Sequence, residues 1–113
     1  MIFATLYRKD GRYTGFEARG HSGYAEAGSD IVCAAVSVLG CTCVNSLEAL
    51  LGVRARIGAN REGLLTFDLP SMTEDQEQGA QLLMGALAQG LSDVQEEYPG
   101  YVKFEIKERR KSP

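Results

Sequence analysis

The stretch DIVCAAVSVLGCTCVNSLEALLG, residues 30–52, decides how the rest of the chain is read. It is apolar on almost every side, and Ile31, Val32, Val36 and Val38 make a strand the competing reading. Length decides between them, because ~20 residues exceed an ordinary strand and suit a buried helix. Asp30 is a good N-cap for that helix and Gly52 a good residue to end it. A helix that is apolar all round must be covered all round. One small sheet cannot do that, so a subunit partner is inferred.

Working outward, residues 2–7 (IFATLY) are β-prone, and Asp10-Gly11 is a hairpin signal that leads into a second strand over 13–19. Residues 20–29 (GHSGYAEAGS) show no period and read as a loop. Beyond the helix, residues 53–59 alternate, with Val53, Ala55 and Ile57 on one face. Residues 60–63 supply a turn, and 64–69 form another strand. Thr73 and Gln76 make a capping box for a second helix. Its apolar positions Ala80, Leu83, Met84, Leu87, Leu91, Val94 and Tyr98 recur at three and four, and Pro99-Gly100 ends it. Residues 101–106 alternate as a last strand. The order ββαββαβ predicts an α+β fold, a mixed sheet of about five strands with two helices. There is no internal repeat, linker or low-complexity segment, so residues 1–113 read as one domain.

Composition narrows the function. A chain of 113 residues that is 44% hydrophobic can build one core, which argues against disorder. Twelve Lys and Arg against 15 Asp and Glu argue against direct nucleic-acid binding. No apolar run is expected to approach the ~20 residues that a membrane span needs. The N-terminus is apolar first and charged second, the reverse of a signal peptide. These readings predict a soluble, cytoplasmic protein without a membrane partner. Three cysteines, two of them close together, predict free thiols and not a secreted disulfide framework. Residues 62–102 hold eight acids and no base, read as a solvated helix face. The basic tail over 107–113 (KERRKSP) reads as a frayed, solubilising end.

Any mechanism that needs imidazole must use His21, the one histidine. Cys33 falls third after the cap Asp30, where free N–H groups and the positive end of the helix dipole favour a thiolate. The same N–H groups can donate to an oxyanion during acyl transfer, and a nearby His21 can protonate a leaving amine. Against this stands the plain alternative, a small buried hydrophobe. Ser37 lies one turn on from Cys33 and can hydrogen-bond substrate or its own helix backbone. Asp30 caps the helix; orienting the imidazole is a second role that need not exclude the first. Cys41 and Cys43 lie in the helix body, where every N–H is bonded, and read as packing. Cys33 and Cys41 stand about 12 Å apart along a helix, too far to share one metal ion. No P-loop, dinucleotide, zinc-protease or serine-hydrolase motif is present, and no cofactor is called for. Gly20, Gly23 and Gly28 let the loop take unusual or mobile conformations.

Taken together, GHSGYAEAGSDIVCAAVS, residues 20–37, closely resembles the signature of the ribosomal-processing cysteine proteases, the Prp family. The resemblance implies a bacterial cytoplasmic endopeptidase, working as a homodimer. It implies removal of an N-terminal extension from large-subunit ribosomal protein L-twenty-seven, cut after a stretch with paired aromatic residues. It implies Cys33 as nucleophile and His21 as general base, with Asp30 and Ser37 supporting them. It implies a substrate lid that includes Gly20, Ser22, Gly23, Tyr24 and Gly28. Ser22 departs from the alanine expected after the histidine, a small-for-small change. Two other functions compete with proteolysis: a ribosome-associated binding module without activity, and a thiol redox sensor built on Cys33.

Overall fold

The apolar stretch folds as a single helix, α1 (Ile31–Leu51), stopped at both ends by the residues its sequence predicts. Asp30 is the N-cap, and Gly52 ends the helix in the left-handed conformation at φ 66°, its N–H donating to Glu48 O. The protein is described by a computed structural model over residues 1–26 and 30–109. Around α1 stand β1 (Ile2–Lys9), β2 (Arg12–Arg19), β3 (Arg56–Arg61), β4 (Leu64–Asp68), α2 (Glu74–Glu97) and β5 (Val102–Glu108). The five strands form one sheet in the order β3-β4-β2-β1-β5. All neighbours run antiparallel except β1 and β5, so the sheet is mixed as expected.

The core lies between the sheet and the two helices. Ile2, Ala4 and Leu6 of β1 alternate inward, as β-structure requires, beside Phe16, Ala18, Phe67 and Val102. The Phe16 and Phe67 rings meet at 5.5 Å. From α1 the stripe Val32, Val36, Gly40, Cys43 and Leu47 turns inward. At Gly40 the helix comes so close that a Cβ would stand 2.7 Å from Leu65 Cδ2 and 3.2 Å from Phe16 Cε2. α2 contributes Ala80, Met84, Leu87, Ala88 and Leu91, behind a complete Thr73–Gln76 capping box. The acids Glu74 and Asp75 at its start are exposed, as the charge pattern predicts, and favour the positive end of the helix dipole.

Three expectations need correction. First, β3 begins three residues later than the alternation of Val53, Ala55 and Ile57 implies, and it runs through Asn60 and Arg61. Val53 and Ala55 are buried in the connection, whereas Ile57 is exposed on what is the sheet's edge strand. A bulge between Ile57 and Ala59 shifts the register there. Second, part of the basic tail is ordered. Lys107 and Glu108 extend β5, and Arg109 pairs with Asp68 at 2.7 Å and stacks 4.4 Å over Tyr7; residues 110–113 lie outside the described residues. Third, α1 is long and apolar enough by length and composition to cross a membrane. In this fold its inward stripe Val32, Val36, Gly40, Cys43 and Leu47 is buried, while most of the helix is not.

Candidate active site

The site is assembled where the end of β2, the start of α1 and the β3–β4 turn meet. Gly20 follows β2 at φ 97°, and a Cβ there would stand 2.5 Å from Met1 O, so only glycine fits. Its N–H donates to Gly63 O at 2.9 Å, which docks the end of β2 on the β3–β4 turn. His21 comes next. Its Nε2 lies 3.0 Å from where a Cβ on Gly63 would be, so the missing side chain leaves room for the ring. The residue is exposed, and its ring makes no hydrogen bond with another described residue.

Cys33 is the third residue of α1 and is half-buried. The Ser22 N–H donates to its Sγ at 3.4 Å. Asp30 Oδ1 accepts the N–H groups of Val32 at 3.0 Å and Cys33 at 2.9 Å. Asp30 Oδ2 accepts the Ser22 hydroxyl. These bonds hold the Asp30 carboxyl at about 2, well below its ordinary 3.8, the Ser22 hydroxyl having the largest effect and the Cys33 N–H the next. Asp30 therefore caps the helix, and its two oxygens are engaged by α1 and Ser22. The expectation that the first-turn amides stand ready for an oxyanion is corrected: those of Val32 and Cys33 are already taken by the cap.

A cavity of about 780 Å³ opens over these groups, within the size range of ligand pockets. His21 and Cys33 both line it, as do Gly20, Gly23, Asp30 and Ser37. Its floor is apolar, built from Ile2, Ala18, Val36, Leu64 and Leu65. Of the other predicted lid residues, neither Ser22 nor Tyr24 lines it. Ser22 is buried, at 4% exposure. Tyr24 packs edge-on against Tyr98 at 5.5 Å and Tyr101 at 5.2 Å. Gly28 falls outside the described residues.

Two parts of the site escape the sequence reading. The end of β3 and the β3–β4 turn contribute Asn60, Arg61, Glu62 and Gly63 as a third wall. That approach is long-range and leaves no local signal. Cys41 also lines the cavity and so is more than core packing. The signal for it was present, since Cys33, Ser37 and Cys41 recur at four residues and share one helix face. Cys43 is core: its Sγ lies 3.8 Å from Leu83 O and 3.7 Å from Met84 Sδ, and burial pushes the thiol up to about 11. Among the described residues no three His, Cys, Asp or Glu side chains converge to hold a metal ion.

A thiol at the start of a helix and the chain's one imidazole, on a common cleft with an apolar floor, are the parts of nucleophilic acyl transfer. The class that this fold and site define is the cysteine proteases. Comparison with known families then narrows it, because residues 1–103 match the family described as cysteine protease Prp. The chain belongs to that family. It is 33% identical over 101 residues to the ribosomal processing cysteine protease Prp of Bacillus subtilis, covering 87% of this chain and 90% of that one. A solved protein from Streptococcus mutans is 35% identical over 96% of both chains, with a TM-score of 0.83. The essential ribosomal processing protease Prp of S. aureus, solved with a covalently linked product peptide, is 28% identical with a TM-score of 0.84. It covers 95% of this chain and 100% of that one. The same protease solved with a substrate peptide gives a TM-score of 0.79 at 26% identity, over 95% of this chain and 100% of that one.

Proposed function

We propose that this cysteine protease is a cytoplasmic ribosomal-processing endopeptidase that removes the N-terminal extension of large-subunit ribosomal protein L-twenty-seven. The observation that carries the reading is the single cleft shared by His21 and Cys33, with the sulfur held by the Ser22 N–H at 3.4 Å. The S. aureus relative solved with a substrate peptide supports a peptide as the occupant. The apolar floor under Val36, Leu64 and Leu65 suits the aromatic side chains expected near the cut.

In the reaction, His21 takes the Cys33 thiol proton and the sulfur attacks the scissile carbonyl carbon. A C–S bond forms, and the carbonyl electrons move onto oxygen. They return as the C–N bond breaks, and His21 gives its proton to the departing amine. His21 then takes a proton from water, whose oxygen attacks the acyl carbon. The C–S bond breaks, the proton returns to sulfur, and the acid product leaves. With the Val32 and Cys33 amides occupied by Asp30, oxyanion donors come from other groups on the cleft. The Ser37 hydroxyl, one turn after Cys33 and on the same cleft, is the side chain we assign.

The protease works as a homodimer. Its support is the outer face of α1, where Val38 is 62% and Leu50 70% exposed, apolar surface that a monomer leaves in water. Sedimentation at micromolar concentration is expected to give twice the 12.3 kDa chain mass. The function itself is tested by incubating a peptide spanning the extension with wild type and with Cys33→Ala, read by mass spectrometry. One cut made only by the wild type is expected. An uncut peptide from folded wild-type protein overturns the assignment of substrate, and an equal cut by both proteins overturns the nucleophile.

A further inference from the structure

Ser22 is a buried polar side chain, and such a group needs partners for its hydroxyl. It has two. The hydroxyl donates to Asp30 Oδ2 and accepts the Tyr24 N–H at 3.0 Å. A third contact leaves from its backbone, the N–H on Cys33 Sγ at 3.4 Å. These contacts meet at the residue next to His21. The glycines on either side of the pair, Gly20 and Gly23, hold φ of 97° and 73°, so the segment between them has permissive backbone at both ends. Within it, Ser22 is the residue fastened to α1. The His21 ring makes no hydrogen bond with another described residue, and the nearby carboxylate of Asp30 is spent on the cap and on Ser22. The distance between imidazole and thiol is then governed by the backbone, through residue 22.

We propose that Ser22 is a positioning residue, a clasp whose hydroxyl grips the cap of the nucleophile's helix while its N–H grips the nucleophile, setting the approach of His21 to Cys33. The proposal rests on the reading of Cys33 as nucleophile and His21 as proton carrier. An alanine at this position keeps the N–H but lets go of Asp30 and Tyr24. The loop then samples placements in which the imidazole is out of reach of the sulfur, and the chemical step slows while peptide binding on the apolar floor is kept. The grip also strengthens the cap, since the Ser22 hydroxyl is the largest influence holding Asp30 ionised.

The test compares wild type, Ser22→Ala, Asp30→Ser and the double variant in steady-state cleavage of the extension peptide, with Cys33→Ala beside them. Asp30→Ser keeps a capping oxygen for α1 but removes the second carboxylate oxygen that Ser22 holds. It also keeps the proposal open to disproof if Ser22→Ala fails to fold. Each single variant is expected to lose about tenfold in kcat with KM within about twofold, the size of one hydrogen bond to a charged group. In the double variant the two losses are expected not to multiply, because both break the same bond. A purely structural serine would lower Tm and leave kcat unchanged in every folded variant; that result, or losses that multiply, overturns the clasp. Wild-type kcat in Ser22→Ala with Cys33→Ala inactive removes the clasp alone. Equal cleavage by wild type and Cys33→Ala removes the reading beneath it.

Discussion

Cys33 and Cys43 carry the same side chain on the same helix, ten residues apart, and the fold makes opposite things of them. Cys33 stands third from the N-terminus, half-buried on a cleft, with a backbone N–H on its sulfur. Cys43 is buried against Met84 and the Leu83 carbonyl, and loss of hydration pushes its thiol up to about 11. One helix thus serves as a platform at its start and as core along its middle. What distinguishes the thiols is the number of turns each lies from the cap and the face it occupies. Cys41, on the cleft face but two turns beyond Cys33, is the intermediate case.

The comparison breaks most visibly if the wrong cysteine proves essential. Cys33→Ala or His21→Ala is expected to cut peptide cleavage by about 10⁴-fold or more, since members of a catalytic unit fail together. Cys43→Ala is expected to leave cleavage within about twofold and to cost about 1–2 kcal/mol of stability through the small cavity it opens. Denaturant titrations beside the cleavage assay decide this. Loss of cleavage in Cys43→Ala without loss of stability would mean that the two ends of α1 are not separate in function.

Chemical labelling sharpens the same contrast without any substrate. With its thiol near 11, Cys43 is ionised at pH 8 in only about one molecule in a thousand, and iodoacetamide needs the thiolate. Mass spectrometry of the native protein is therefore expected to show Cys33 and Cys41 labelled and Cys43 at least ~100-fold slower than in urea, where burial ends. Equal native rates for all three would deny the burial of Cys43.

Between the two ends lies Gly40, where the core meets the cleft. Gly40→Ala drives a Cβ to 2.7 Å from Leu65 Cδ2 and 3.2 Å from Phe16. Overpacking of this kind costs about 1–3 kcal/mol. Leu65 is also cleft floor, so a raised KM with kcat nearly unchanged is expected beside the lower Tm. An unchanged KM at reduced stability would show that the floor does not follow the core.

These contrasts also mark what the sequence makes legible. The ends of α1 were readable because a cap aspartate and a terminal glycine act locally, and both hold in the fold. The Thr73–Gln76 box was readable for the same reason. The start of β3 was not, because Val53 and Ala55 alternate inward while still in the connection, and an exposed edge strand such as 56–61 has no hydrophobic period to show. That His21 and Cys33 line one cleft was legible through motif and position. The third wall of the cleft was not, since Gly63 meets His21 only after β4 has paired with β2. Ser22 shows the finest limit. As a residue type it reads as a neutral change from alanine, and only the fold reveals the partners of its hydroxyl.

The smallest expected effect lies in the cap that starts α1. Asp30 is held at about 2 in the fold and returns toward 3.8 on unfolding. A carboxyl depressed in this way adds stability that is present above its unfolded value and is lost as pH falls through its folded one, so the window runs from about 4 down to about 2. Asp30→Asn keeps a capping oxygen but cannot titrate. Thermal melts of both proteins should show wild type ahead near neutral pH and the gap closing as pH drops through that window. The other carboxylates titrate in both proteins and cancel in the difference. A gap that stays constant to pH 2 would mean that Asp30 is no better held in the fold than out of it. The start of α1 would then owe its rigidity to the Ser22 N–H and the backbone alone, and the contrast between the two ends of the helix would narrow to one of burial.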